Sequence, residues 1–386
     1  MTAKEPQIDR LLASALRGEA CTRPELWSGG ETVELAQERI RYHGIAGLLA
    51  EMSGRLENWP KPILEQVREQ AIAQAMWELR HRALLSDLLA GLAQHGVVAV
   101  LLKGTAVAYD LYPSPAARSR GDSDILIASA DLDRTRSILR DLGYHQDTAE
   151  GQPAGLALQE VWSLSPVGEA PHHIDLHWQL FNTPALKDLL SFPECAADPI
   201  ALPRLSPDAR SMDRVLTLIH TCAHRAMHLT TPYFVDGVTY YGGDRLIWAY
   251  DIGLLANALS DAEWTRMCAV ADRKGLSAVC LDGLTAAQLR LRTEFPLWVR
   301  DEVSNAPTKA PASKYLLQSR QAARSWQDLR SIPGWRRKLA YLRGRLLPSS
   351  AFIRDKYPSM VKMPLALLYA RRLVDLVRVR PRRSEG

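Results

Sequence analysis

The most constraining feature of the chain is a change of hydrophobic period near residue 96. Through residues 63–95 the apolar residues Ile63, Val67, Ile72, Met76, Leu79, Leu84, Leu88 and Leu92 recur every three or four positions, the period of one amphipathic helix or a pair of them. Gly96 ends that pattern. Val97-Val98-Ala99-Val100-Leu101-Leu102 follows as a short, continuous, largely β-branched run, which suits a strand covered on both faces. A chain that passes from helix to buried strand in this way packs helices on a sheet.

Downstream the same reading continues. Lys103-Gly104-Thr105 closes the run, and residues 106–111 open a helix that Tyr112-Pro113-Ser114-Pro115 stops. A second strand is expected at 123–128, and a helix at 131–142 capped by Ser129 or Asp131 and ended by Gly143. Third and fourth strands are expected at 156–164 and 172–180. In the latter, Ile174, Leu176 and Trp178 alternate with His173, Asp175 and His177, so the two sets lie on opposite faces. Helical patterns return at 213–227, 246–258, 261–274 and 276–291, with Gly242-Gly243 as a turn and Asp244 as the cap of the second of them. The resulting organisation is a helical region at 1–95, an α+β core at 96–182, a helical domain at 183–304, and a linker with a basic helical tail at 305–386.

Composition narrows the class. The 386 residues are 47% hydrophobic and 24% charged, which excludes disorder as a whole-chain answer and suggests two or three folding units. The five cysteines, Cys21, Cys195, Cys222, Cys268 and Cys280, form no CxxC pair, so a reducing, cytoplasmic setting is expected. No secretory leader pattern and no membrane-length apolar run are evident. Of 48 Lys and Arg, 18 lie in residues 314–386, with only 4 of the 43 Asp and Glu. That tail suits a nucleic acid, an anionic lipid surface or a phosphorylated substrate, or else a set of amphipathic helices with a solvated basic face.

The chemistry-bearing stretch is Gly121-Asp122-Ser123-Asp124-Ile125-Leu126-Ile127. Carboxylates at i and i+2 of a strand project from one face, where each raises the cost of ionising the other. A divalent cation removes that cost, and hard oxygen donors suit Mg²⁺. Asp175, on the polar face of a later strand that it shares with His173 and His177, is the candidate third carboxylate for a site of two ions. A DxD pair alone is most often a solvated loop or strand end, and Asp175 alone is an edge-strand polar residue at least as often as a ligand. Their joint order, with a Gly-hydroxyl turn whose backbone N–H groups suit phosphate oxygens, points to phosphoryl chemistry. His220, His224 and His228 line one helix face and read as packing residues or substrate-side contacts rather than as a zinc site. Asp251 is open to two readings, a buried salt bridge or a role in the site.

The blocks Leu101-Leu102-Lys103-Gly104-Thr105-Ala106, Leu111-Tyr112-Pro113, Arg118, Gly121–Ile127 and Ile174-Asp175-Leu176-His177-Trp178 resemble the bacterial uncharacterised nucleotidyltransferase family of the polymerase β-like superfamily. Weaker similarity reaches Trp248-Ala249-Tyr250-Asp251-Ile252 and Leu347-Pro348-Ser349. The resemblance implies a polymerase β-like core, a mixed sheet with helices, embedded between helical segments. It further implies metal-dependent transfer of a nucleoside monophosphate from a nucleoside triphosphate, ATP first among them, with release of pyrophosphate. Under it Asp122, Asp124 and Asp175 hold two Mg²⁺ ions, with Mn²⁺ as the alternative, and Gly104 and Thr105 hold the triphosphate. Thr105 stands where Ser is usual, and Ser123 where an apolar residue is usual. Lys103 and Arg118 are candidates for phosphate contact, or for salt bridges to the aspartates. The acceptor is expected to be a small molecule or peptide ahead of nucleic acid. The alternative functions are a non-catalytic nucleotide-binding module and a nucleic-acid-binding protein that uses the tail.

Overall fold

Residues 63–95 form most of one long helix, not a pair, in a computed structural model of the chain. The structure describes residues 4–19, 27, 29–52, 54, 56, 58–147, 157–165, 170–229, 231–235, 238–241, 243–305, 310–347, 350, 353–354, 357, 360 and 363–377. Cys21, Leu156, Gly242, Pro348 and Ser349, and part of the expected linker at 305–313, lie outside the described residues.

The chain opens with α1 (Glu5–Leu16), α2 (Gly30–His43), α3 (Ala46–Glu51) and α4 (Lys61–Gln94). The ends of α4 bury Ile63, Val67, Leu88 and Leu92 as their spacing requires, while Leu85 is buried in place of Leu84, which is half-buried. Its middle departs from the pattern, since Ile72, Met76 and Leu79 are exposed and the buried positions there are Glu78 and His81. Those two polar side chains find partners on other elements, so burial follows hydrogen bonding over these turns. Then come β1 (Val100–Leu101), α5 (Lys103–Asp110), β2 (Asp122–Leu126), α6 (Leu132–Asp141), β3 (His145–Gln146), β4 (Gln159–Leu164) and β5 (His172–His177). The apolar run yields a strand of only two residues, paired in parallel with the equally short β7 (Arg210–Ser211). Lys103-Gly104-Thr105 is the first turn of α5, not a loop before it. Asp131 sits at the start of α6 but makes no side-chain cap, a 3-10 turn at Ser129–Asp131 leading in instead. Gly96 and Gly143 close their helices with φ of 71° and 86°, the left-handed conformation that glycine adopts at least cost.

After β5 come α7 (Phe192–Cys195), β6 (Ile200–Ala201), β7, α8 (Arg214–His228), β8 (Pro232–Val235), β9 (Val238–Tyr241), α9 (Leu246–Ala258), α10 (Asp261–Arg273) and α11 (Ser277–Leu291). The chain ends in α12 (Leu297–Asn305), α13 (Pro311–Leu316), α14 (Gln321–Ser331), α15 (Trp335–Leu346) and α16 (Leu365–Val377). Asp213 caps α8 through its side chain, accepting from the Leu216 N–H at 3.1 Å. Asp244 does not cap α9 as expected. Its carboxylate takes the Arg225 guanidinium, with Nε 3.0 and 3.1 Å from the two oxygens, and Arg245 stands at the cap position.

Seven strands form a mixed sheet in the order β3-β4-β5-β2-β1-β7-β6, and β8 and β9 form a separate hairpin. The β4–β5 pair is antiparallel, with Val161 opposite Asp175 and Gln159 opposite His177. Mixed sheet and flanking helices together make the chain α+β. It divides into two compact units, Met1–Asp124 with Cys195–Leu317, and Ile125–Glu194 with Gln318–Gly386, the division falling inside β2. In the first unit α8, α9 and α11 pack on one another around Leu218, Ile219, Ile252 and Leu284. In the second, β4 and β5 bury Trp162, Ile174 and Leu176.

Candidate active site

Three short segments place the polar residues around Asp124. The Leu102 N–H donates to the Asp124 carbonyl at 3.0 Å, tying the end of the β1 segment to β2. The next residue, Lys103, turns the chain into α5 with a φ of 50°, a left-handed conformation uncommon outside glycine. Its ammonium forms an ion pair with Asp124, whose residue is 5% exposed. A carboxylate this deep needs a cationic or hydrogen-bonding partner to remain ionised.

On the other side of β2, Ser123 is fully buried, and its hydroxyl shares a hydrogen bond with Thr105 Oγ1 at 2.8 Å and another with His81 Nε2 at 3.0 Å. A buried polar residue is thereby accommodated by a chain of hydroxyl and imidazole groups. Thr105 is itself 2% exposed, so its hydroxyl is directed into this chain. The N–H groups in the first turn of α5 lack intrahelical acceptors, as in any helix. Asp122 stands at the exposed start of β2.

Arg118 lies against Gly104, where an added Cβ would come within 3.1 Å of the guanidinium carbon. The guanidinium holds Asp251, Nε at 3.1 Å from both oxygens and Nη2 at 2.7 Å from Oδ2, while Nη1 donates to the Ser119 carbonyl at 2.6 Å. The Tyr112 hydroxyl donates to Asp251 Oδ1 at 2.7 Å. Burial disfavours the charge on Arg118, but Asp251 more than offsets it and holds the group above its ordinary pKa. Of the two readings of Asp251, the structure shows the buried salt bridge, and its partner is Arg118.

On β5, Asp175 is half-buried and His177 buried, and the Ile127 N–H donates to the His177 carbonyl at 2.9 Å. Asp124, Asp175 and His177 each offer one ligand atom, and these atoms all lie within 4.8 Å of one another. His177 was visible in the sequence only as a neighbour on the face of Asp175. The i, i+2 spacing on a strand is the signal that links the two.

Two of the three histidines of α8, His224 and His228, pack with an aromatic group. The rings of His224 and His228 meet edge-on at 4.5 Å, and both lie within 6 Å of the Trp248 ring. Desolvation, reinforced by His228 and Lys103, pushes His224 well below the usual histidine pKa.

A family model described as uncharacterised nucleotidyltransferase matches residues 31–292, about two thirds of the chain. The chain belongs to this family. No curated protein matches it. The nucleotidyltransferase carries its paired aspartates at the start of β2 and its Lys-Gly-Thr segment at the start of α5, both within the matched residues. Among its described residues no helix is long and apolar enough to cross a membrane.

The donor set tests whether a divalent ion fits the nucleotidyltransferase. Two carboxylates are hard oxygen ligands that suit Mg²⁺ and Mn²⁺, while an imidazole is accepted more readily by Mn²⁺ than by Mg²⁺. Asp124, Asp175 and His177 therefore suit such an ion, and the Lys103 ammonium already shows that Asp124 attracts positive charge.

Proposed function

We propose that the enzyme moves a nucleoside monophosphate from a nucleoside triphosphate, ATP first among them, to a nucleophile on a small molecule or peptide, with Mg²⁺ or Mn²⁺ as the required ion. The closeness of Asp124, Asp175 and His177 is the observation that carries this reading. In it Asp122, Asp124 and Asp175 are the metal carboxylates, as the resemblance implies for two ions, and His177 is an additional ligand. When bound, the ions neutralise triphosphate charge and polarise the α-phosphorus.

The chain's own residues do the rest. Gly104 and Thr105, at the start of α5, offer phosphate oxygens the backbone N–H groups and the positive end of the helix dipole. Lys103 brings a cation to the same turn. Its ammonium pairs with Asp124 here, and it acts on the phosphates when that carboxylate is otherwise engaged. Arg118 contributes from behind Gly104, fixing the glycine turn through its bonds to Asp251 rather than reaching the nucleotide itself. The helical elements α8, α9 and α11 supply the side of the enzyme that selects the acceptor.

The test is incubation of the full chain with each α-labelled triphosphate, Mg²⁺ or Mn²⁺, and a fractionated cell extract, followed by identification of the labelled product. Label transfer that disappears in Asp124→Ala and in Asp175→Asn is expected. Transfer that persists in both variants would overturn the reading.

A further inference from the structure

The basic tail presents an apolar stripe that the transferase reading leaves unused. On α15, Trp335, Leu339, Leu342 and Leu346 are all exposed, Trp335 by 70% and Leu339 by 58%. Their steps of four, three and four residues align them along one side of a helix. Tyr341 projects to the other side, is buried, and donates its hydroxyl to Asp328 on α14 at 3.2 Å. The helix is thus held to its unit by Tyr341, with its apolar stripe turned outward.

Charge flanks the stripe. Segment 335–347 contains Arg336, Arg337, Lys338, Arg343 and Arg345 and no Asp or Glu. By helical position Arg336 and Arg343 border one side of the stripe and Lys338 the other. Among the described residues, Arg336, Arg337, Lys338 and Arg343 pair with no carboxylate. Helix α16, which touches α15, shows a second exposed row in Leu367 and Val374, continued before the helix by Met363. Arg378, Arg380, Arg382 and Arg383 follow α16 in the sequence.

We propose that α15 and α16 form a surface that lies on an anionic phospholipid bilayer. The leucines and Trp335 enter the boundary between headgroups and acyl chains while the arginines meet the lipid phosphates. Charge decides between this occupant and others. A second copy of α15 would bring like charges together along both flanks of the stripe. A single-stranded nucleic acid would use aromatic platforms, whereas the stripe is three leucines to one tryptophan. Lying on a bilayer requires no spanning helix, and the surface is independent of the transfer chemistry.

The test is co-sedimentation of the full chain with vesicles of phosphatidylcholine alone and of phosphatidylcholine mixed with phosphatidylglycerol. Binding to the anionic vesicles, reversed by salt and accompanied by a blue shift of tryptophan emission, is expected. Arg336→Gln, Lys338→Gln and Arg343→Gln together are expected to weaken it on the order of a hundredfold, since each cation near an anionic surface is worth about fivefold. Leu339→Asp with Leu346→Asp is expected to weaken it at least about tenfold. Circular dichroism checks that each variant folds, and the glutamine variant, which changes only cations that pair with no carboxylate among the described residues, carries the test if the aspartate variant does not fold. Equal binding to both vesicle types, binding unchanged in the folded variants, tighter binding to single-stranded RNA that ignores the leucines, or a dimer that the leucine changes convert to monomer would each overturn the proposal. None of those results bears on label transfer.

Discussion

Arg118 and Asp251 stand 133 residues apart in the chain and meet as a buried, forked ion pair, Nε at 3.1 Å from both carboxylate oxygens and Nη2 at 2.7 Å from Oδ2. The pair binds the segment between α5 and β2 to helix α9, and the arginine packs on Gly104 at the start of α5.

Removing one partner of this pair leaves the other charge buried. Asp251→Ala is expected to destabilise the chain by about 3–5 kcal/mol, measured by urea unfolding. Tyr112→Phe removes only the 2.7 Å bond to Asp251 and is expected to cost about 1–3 kcal/mol. If Asp251→Ala costs no more than Tyr112→Phe, the pair does not have this role.

Gly47 offers a second test of the same region. An added Cβ would come within 2.8 Å of the Ala117 backbone, just before Arg118. Helix propensity alone predicts that Gly47→Ala stabilises α3 by about 1 kcal/mol. Backbone crowding of this kind is expected to win and destabilise the chain by about 1–3 kcal/mol net. Chemical denaturation gives the sign directly.

Divalent cation binding should register as stability. At about a hundredfold excess over its dissociation constant, a ligand of the native state alone adds about 2.7 kcal/mol. Mn²⁺ is therefore expected to raise the thermal midpoint of the wild-type chain by a few degrees, and to leave Asp175→Asn unmoved. An equal shift in both proteins would remove Asp175 from the metal site.

His43 predicts a dependence on pH. It is fully buried, accepts the Leu246 N–H at Nδ1 at 3.0 Å, and donates from Nε2 to Asp9 at 2.8 Å. Burial pushes its pKa down to about 4, against the upward pull of Asp9. The unfolded chain takes up this proton near pH 6.5 and the folded chain does not, so stability falls as pH drops from about 6.5 to 4. The loss from this group is about 3 kcal/mol over that range. Urea midpoints measured across it are expected to fall more steeply in the wild type than in His43→Gln. Parallel slopes would show that His43 is not the group responsible.

How far the fold was legible depended on whether the signal was local. The bounds of α9 followed from residues within a few positions, because the helical period is set by neighbouring side chains. The strand at β1 is shorter than its apolar run, since strand length depends on a partner. Asp244 failed as a cap for a similar reason. An arginine nineteen residues earlier in the chain competes for its carboxylate, and short-range capping rules do not register it.

The candidate site divides in the same way. The paired aspartates, the Lys-Gly-Thr turn and the face shared by Asp175 and His177 are properties of spacing, and they marked the family and its chemistry. Sequence alone therefore determined that this chain carries alternating helix and strand and a carboxylate-rich strand opening, because the side-chain periods of 3.6 and 2 are dictated by backbone geometry. Tertiary structure decided which of the many charged groups meet: Arg118 with Asp251, Lys103 with Asp124, Ser123 with Thr105 and His81. The physical reason is that a buried polar group must find its partner wherever packing brings one, and that choice is made in space, across any separation along the chain.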